Sequence, residues 1–153
     1  MPFSLIRFNL IDPTLDSQSL SDRYKAMLDM AELADQNGFF MATFEEHHGA
    51  DNAWSPTPLM NAGTVLARTT TLSASISALL LPLHDPIRVA EDIAVIDLMS
   101  GGRLTVIFGL GYRPSEYQLM GKDWDNRGKI MDESIQTLLD AWTGEPFQYK
   151  GET

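Results

Sequence analysis

A run of two acidic residues and two histidines, 45–48, follows a short apolar stretch, 39–44, that has the composition of a buried strand. In folds built from strand–helix units, residues that follow the carboxyl end of a strand face the active-site mouth. Histidine acts there as an acid, a base or a hydrogen-bond donor near neutral pH. The alternative interpretation is a solvated loop that holds an ion pair. A metal site is weakly indicated, because adjacent histidines diverge.

Two further stretches, 75–78 and 109–112, lie at the ends of predicted strands and contain small residues. The first, Ser-Ile-Ser-Ala, leaves room for a flat ligand against the backbone or, alternatively, packs beneath a helix. The second, Gly-Leu-Gly-Tyr, allows a close backbone approach to a ligand. It lacks the third glycine and the helix start of a dinucleotide fingerprint, so we reject a Rossmann site.

Three other residue groups are open to two interpretations. Glu116, next to Tyr117, either places a carboxylate near the same mouth or belongs to a surface helix. His84 lies in a turn before a predicted helix and is interpreted as structural. The tryptophans are interpreted as packing residues: Trp54, Trp124 and Trp142.

Strand-like and helical runs alternate along the chain. The strand-like runs cover 3–10, 39–44, 72–81 and 104–108, and apolar residues at helical spacing predict helices over 20–36, 55–68, 85–100 and 125–142. The third helix has both ends marked, because Asp85 caps it before Pro86 and Ser100-Gly101-Gly102 ends it. This order predicts a parallel sheet covered by helices in a single domain over 1–153.

Composition excludes several classes of function. The formal net charge is -10 with only 11 Lys+Arg, which argues against a nucleic-acid partner. The chain has no cysteine, so disulfides, thiolate metal sites and cysteine nucleophiles are excluded. No apolar stretch reaches the roughly 18 residues that cross a bilayer, and no secretory signal is evident. We expect a soluble cytoplasmic protein with no membrane partner.

Several ordered motifs resemble the bacterial luciferase-like monooxygenase family of flavin-dependent (β/α)8 TIM-barrel oxidoreductases. They are EEHH after the second strand, LLLPLHDPIRVAEDIAVIDLMSGGR in the third unit, GLGYRPSEYQLMG after the fourth strand, and MDESIQTLLDAWTGEPFQYKGE at the end. The resemblance extends over essentially the whole chain, and the block in the third unit is the most specific part. One departure is Leu110, which stands where bacterial luciferase has a basic residue that faces the flavin phosphate.

The resemblance implies roles for individual residues. His47 matches the histidine that the family keeps beside the flavin ring and the substrate, so it is the predicted catalytic residue. Ser77 and Ala78 match an unusual non-proline cis peptide that supports the isoalloxazine ring. Gly109 and Gly111 let the end of the fourth strand approach the cofactor. The predicted cofactor-binding residues are therefore Glu46, Ser77, Ala78, Gly109 and Gly111, and no metal ligand is predicted.

The resemblance also implies an activity. The expected enzyme is a monooxygenase that uses reduced FMN and O2 to oxidise an aldehyde, a sulfonate or a similar small organic substrate, with a flavin reductase as a partner. Relatives that use the deazaflavin F420 for hydride transfer provide an alternative. A non-catalytic flavin-binding or interaction protein of the same family is a second alternative, and a structural protein without a ligand is a third.

The chain is short for the fold that it resembles. A complete barrel needs about 250 residues, whereas 153 residues supply about four strand–helix units. Four parallel strands alone leave two sheet edges and one apolar face uncovered. The chain is therefore expected to be a fragment, half of a split enzyme, or a half barrel that pairs with a second copy. We favour a fragment of a longer family member that forms a homo-oligomer, such as a dimer.

Overall fold

Strands and helices alternate along the chain. The computed structural model describes residues 3–149 and 151. The strands are β1 (Leu5–Phe8), β2 (Met41–Phe44), β3 (Ser73–Leu79) and β4 (Leu104–Phe108). The α-helices are α1 (Ser17–Gln36), α2 (Pro58–Arg68), α3 (Pro86–Ser100), α4 (Pro114–Met120) and α5 (Arg127–Ala141), and a short 3-10 helix (Leu81–Leu83) follows β3.

The four strands form one parallel sheet in the order β1-β2-β3-β4. Phe8 pairs with Phe44 across β1 and β2, and Phe44 pairs with Ile76 across β2 and β3. Each connection between neighbouring strands contains an α-helix, as right-handed crossover units require. This topology confirms the predicted α/β class and is consistent with four consecutive units of a (β/α)8 barrel.

The hydrophobic core lies between the sheet and the helices. Phe44 and Ile76 point from the sheet into a cluster that includes Val65 of α2 and Ile93 of α3. The opposite face of the sheet, which would be the interior of a closed barrel, is much less covered. Leu5 on β1 and Ile107 on β4 lie on the edge strands and are 56% and 51% exposed.

Both ends of α3 lie at the capping residues that the sequence predicted. The Asp85 side chain accepts a hydrogen bond from the backbone N–H of Arg88 at 3.0 Å, and Pro86 opens the helix. Gly101 ends the helix with a φ of 68°, the left-handed conformation that glycine adopts at little cost. None of the helices in the described part of the chain is long and apolar enough to cross a membrane.

Several predicted boundaries differ from the observed ones by two or three residues, and two of them have a clear cause. The second helix begins at Pro58, because Ser55 is buried in the preceding loop, where its hydroxyl accepts a hydrogen bond from Asn61 Nδ2 at 2.7 Å. The third strand ends at Leu79, because the chain turns into the 3-10 helix, in which Pro82 has no N–H for a sheet ladder.

The seven-residue helix α4 follows the glycine-containing stretch after β4 and carries Glu116.

Arg103 fastens the helix layer to the sheet. Its guanidinium donates hydrogen bonds to the carbonyl oxygens of Leu66 and Leu72, both at 2.8 Å, and its Nε donates to the carbonyl of Ser100 at 2.9 Å. These carbonyls belong to the end of α2, the loop before β3 and the end of α3. A single planar cation therefore holds three segments in place before β4 begins.

Candidate active site

His47 lies in the loop that follows β2, and Glu116 of α4 holds its ring. Its Nδ1 lies 2.9 Å from Oε1 of Glu116, and the backbone N–H of His48 donates to the same oxygen at 3.1 Å. His47 and Glu116 are 8% and 1% exposed. Both expectations of solvated groups are therefore wrong: the 45–48 run is not a solvated loop, and Glu116 does not face solvent from its helix.

The second oxygen of Glu116 has no partner. Oε2 is buried and makes no hydrogen bond within the described residues. The guanidinium of Arg113 places its Nη1 3.6 Å from the other oxygen, Oε1. A buried acceptor left unsatisfied costs about 1–3 kcal/mol, so this carboxylate is not explained by stability.

Two aromatic side chains surround the imidazole of His47. The ring centroid of Trp54 lies 4.0 Å away, and Tyr112 approaches edge-on with its centroid at 5.7 Å. Trp54 Nε1 donates to Oε2 of Glu45 at 3.1 Å, and Glu45 also forms an ion pair with Arg7. Trp54, interpreted from sequence as a packing residue, thus forms part of the wall around His47.

Glu46 connects three segments around the site. Its Oε1 lies 2.8 Å from Nε2 of His48 and 2.6 Å from Nε2 of His84, and its Oε2 accepts the backbone N–H of Leu80. Burial raises the pKa of Glu46, but hydrogen bonds from His48 and His84 and the attraction of His84 outweigh burial and bring it to about 2. The hydrogen bond to Glu46 in turn raises the pKa of His48 against the effect of burial. His84 therefore has the structural role expected of it.

The same three side chains are metal-ligand types. One ligand atom from each of Glu46, His48 and His84 lies within 4.8 Å of the others. Both imidazoles contact a single carboxylate oxygen, and the other oxygen accepts a backbone N–H, so the groups satisfy one another. To bind here, a metal ion would have to replace the hydrogens on the imidazole nitrogens that contact Glu46.

The ends of β3 and β4 meet beside His47. The peptide bond between Ser77 and Ala78 is cis, as expected from the resemblance. The backbone N–H of Gly109 donates to the carbonyl of Leu79 at 2.8 Å. A Cβ on Gly109 would lie 2.8 Å from that of Ala78, so only glycine fits there. Gly111 has a φ of 74°, a conformation that other residues rarely adopt.

These groups line one cavity of about 470 Å³ at the carboxyl ends of the strands. Its wall contains every residue predicted to form the site, namely Glu46, His47, Ser77, Ala78, Gly109 and Gly111. Three further lining residues lie in the candidate stretches 45–48 and 109–112, namely Glu45, Leu110 and Tyr112, and three were not predicted there, namely Arg7, Trp54 and Leu80. Arg7 had a detectable signal, because a charged residue inside a strand-like run indicates an inward-facing position at a barrel mouth.

The cavity suits a flat aromatic ligand. Its volume falls within the range of about 300–1,000 Å³ that is common for small-molecule sites. Small residues at 78, 109 and 111 form one wall, and the rings of His47, Trp54 and Tyr112 lie at another side. Among the described residues that line it, Arg7 is the one permanent cation, and it is paired with Glu45. The residues thus fit an isoalloxazine ring better than a phosphate.

Comparison with known proteins identifies relatives along the whole chain. Residues 1–153 match the family described as luciferase-like monooxygenase. The oxygenase component of flavin-dependent trigonelline monooxygenase from Acinetobacter baylyi is 27% identical over 154 residues, which cover 99% of this chain and 42% of the relative. The FMNH2-dependent dimethylsulfone monooxygenase of Pseudomonas putida is 31% identical over 130 residues, which cover 80% of this chain and 35% of the relative.

A solved structure agrees with the fold. The monooxygenase RslO1 from Streptomyces bottropensis has a TM-score of 0.87 and 28% identity, and the match covers 99% of this chain and 46% of that one. The chain therefore spans less than half the length of each of these relatives.

Proposed function

Because the chain belongs to the luciferase-like monooxygenase family, we propose that its cavity holds the isoalloxazine ring of reduced FMN in a monooxygenase reaction. The observation that carries this proposal is the convergence of His47, the Ser77–Ala78 segment and two glycines on one cavity. Bound reduced flavin supplies the electrons that activate O2 for transfer to a small organic substrate. The FMNH2-dependent relative from Pseudomonas putida favours FMN as the cofactor.

The residues of the chain have separate roles in this proposal. Ala78 and Gly109 form a surface without bulky side chains, which would hold a flat ring. Glu46 would shape the cofactor site indirectly, because its oxygens hold Leu80 and two histidines. Trp54 and Tyr112 limit the access of water to His47.

His47 is the group placed to move a proton. Nδ1 is occupied by Glu116, and Nε2 makes no hydrogen bond to any other described residue. Nε2 is therefore the atom that would exchange a proton with the substrate.

The remaining assignments follow from the family. The oxygenase-component relative from Acinetobacter baylyi favours a two-component system, in which a flavin reductase delivers reduced FMN. We assign phosphate binding to parts of the barrel outside these four units, since Arg7 is already paired. We propose a cytoplasmic location, which the absence of cysteine fits.

Self-association is also part of the proposal. Within the described residues, β1 and β4 each pair with a single neighbouring strand, and each carries an exposed apolar side chain, Leu5 or Ile107. An unpaired parallel edge with apolar residues is a template for another strand. We propose that a second copy of the chain covers this face, with β1 of one copy beside β4 of the other.

Titration of the full chain with FMN, followed by quenching of flavin fluorescence, tests cofactor binding. We expect saturable binding by the wild type and at least tenfold weaker binding by Gly109→Ala, whose new methyl group would meet Ala78. Gly128→Ala is the matched control, because nothing lies within 4 Å of its added Cβ.

Three results would reject or revise the proposal. If Gly109→Ala binds FMN as tightly as the wild type does, this cavity is not the cofactor site. Tighter binding of the deazaflavin F420 would favour hydride transfer without oxygen. The absence of saturable binding by wild type would favour the third alternative, a structural protein without a ligand.

A further inference from the structure

Glu116 makes the contact that determines how His47 faces the cavity. Its Oε1 accepts the backbone N–H of His48 at 3.1 Å, so this oxygen acts as a hydrogen-bond acceptor. The same oxygen lies 2.9 Å from Nδ1 of His47, and that ring nitrogen must therefore carry the hydrogen. In a neutral imidazole the other nitrogen, Nε2, is then left without hydrogen and with a free lone pair.

The burial of Glu116 is unlike that of the neighbouring structural carboxylate. Glu46 uses both of its oxygens in hydrogen bonds. Glu116 uses only Oε1, and its Oε2 is buried without a partner in the described part of the chain. A carboxylate kept for folding alone would be expected to satisfy both oxygens.

The helix that carries Glu116 is fixed by contacts of its own. The hydroxyl of Tyr117 donates to the carbonyl of Leu110, and the Tyr117 ring packs edge-on against Trp124 with centroids 5.2 Å apart. Leu119 lies so close to Gly49 that an added Cβ there would be 2.8 Å from its Cδ2. These contacts hold α4 against the loop after β4, against Trp124 and against the loop after β2 without the help of the carboxylate.

We propose that Glu116 is a positioning residue that holds His47 as the Nδ1–H tautomer, with the lone pair of Nε2 directed to the reacting atoms. The catalytic role in this inference rests on the proposed function of the cavity. The tautomer of His47 does not depend on that function and can be measured by itself. Nε2 then accepts a proton from substrate and returns it in a later step, and Glu116 does not itself exchange protons with the substrate.

The chain provides an internal reference for this proposal. It contains three histidines, and the other two, His48 and His84, contact Glu46 through Nε2. These two rings must carry a hydrogen on Nε2, whereas His47 must carry it on Nδ1. Long-range ¹H–¹⁵N correlation spectra of the full chain with labelled histidine rings distinguish the two patterns, and single histidine substitutions assign the signals.

The spectra of variants test the role of Glu116. In the wild type we expect at least a tenfold excess of the Nδ1–H form of His47. Glu116→Ala removes the acceptor and should reduce that excess to less than threefold. Glu116→Gln keeps an acceptor oxygen and should show the same excess of the Nδ1–H form as the wild type. Gln118→Ala, an exposed residue of the same helix, should leave the spectrum unchanged.

Two outcomes would overturn the proposal: a wild-type His47 that carries its hydrogen on Nε2 or on both nitrogens, or an unchanged tautomer ratio in Glu116→Ala. If Glu116→Ala does not fold, the wild-type and Glu116→Gln spectra decide, because loss of the excess in Glu116→Gln also overturns it. The test needs no flavin. Failure of FMN binding with the expected tautomer rejects only the proposed function, and FMN binding with the wrong tautomer rejects only this inference.

Discussion

One carboxylate oxygen of Glu46 contacts two imidazoles, and this arrangement makes the stability of the chain depend on pH. The pKa of Glu46 is about 2 instead of its ordinary 4.5, so its contribution is present above pH 4.5 and is lost as the pH falls toward 2. The pKa of His48 is raised above 6.5, so its contribution is present below pH 6.5 and is lost as the pH rises through the raised value. The two windows overlap between pH 4.5 and 6.5.

We therefore predict that Glu46→Gln lowers the free energy of unfolding by about 3 kcal/mol at pH 5.5, because it breaks a buried charged hydrogen-bond network. The difference between wild type and variant should be largest near that pH and should shrink toward pH 2 and above neutrality. Urea unfolding across pH 2–9 measures it. Glu91→Gln, at a carboxylate whose side chain is 64% exposed, is the control and should change little. A difference that does not vary with pH would contradict the assignment.

At the scale of elements, the ends of β3 and β4 can lie close together only because residue 109 is a glycine. Gly109 lies where a Cβ would be 2.8 Å from the Cβ of Ala78, and the β3–β4 register shifts between Ser77 and Leu79. The shift opens the sheet beside the cavity, and the glycine lets the two backbones stay close.

We predict that Gly109→Ala lowers the free energy of unfolding by about 1–3 kcal/mol, because the added methyl group overpacks this junction. Gly128→Ala lies in α5 with open space around its new Cβ and should instead be neutral or stabilising by up to about 1 kcal/mol. Thermal unfolding of both variants provides the comparison. If both variants gain stability equally, the junction is looser than the distances indicate.

Arg103 gives a second prediction about elements. Its guanidinium donates to four carbonyl groups at the ends of α2 and α3 and before β3, a fork that the single ammonium group of lysine cannot reproduce. We expect Arg103→Lys to lower the free energy of unfolding by about 2–4 kcal/mol, since buried carbonyls lose their donors. Arg88→Lys, at a side chain that is 71% exposed, should have little effect in the same denaturation assay. Equal effects of the two variants would show that Arg103 is not the connector.

At the scale of the whole molecule, the uncovered face of the sheet is where the proposed pairing can be tested. We predict that Ile107→Lys weakens self-association at least about tenfold, because a charge replaces an apolar residue on the proposed contact. Leu98→Lys, at an 82% exposed residue on the outer helix α3, should leave it unchanged. Sedimentation velocity at several concentrations measures both variants. Dissociation by Leu98→Lys alone would place the contact on the helices instead, and a monomeric wild type would reject pairing.

The order of elements was readable from the sequence because its signals are local. Apolar spacing predicted the alternation of strands and helices, and Asp85 and Gly101 marked both ends of α3 as observed. The luciferase-like motifs placed the residues that line the cavity, since the carboxyl ends of parallel strands meet at one edge of the sheet. The short helix α4 was indicated only as one of two interpretations of Glu116, because seven residues carry too little apolar periodicity.

The partners of His47 and His84 were decided only by the tertiary structure. Glu116 lies 69 residues from His47, and Glu46 lies 38 residues from His84, so no local spacing links them. Which ring nitrogen meets which carboxylate depends on how the strand ends curve and on where α4 packs. Burial could not be read from the sequence either. The polar composition of the 45–48 run is typical of a solvated loop, but the loops of neighbouring units enclose Glu46 and His47. Sequence therefore determined which residues reach the mouth of the sheet, and packing determined what each of them does there.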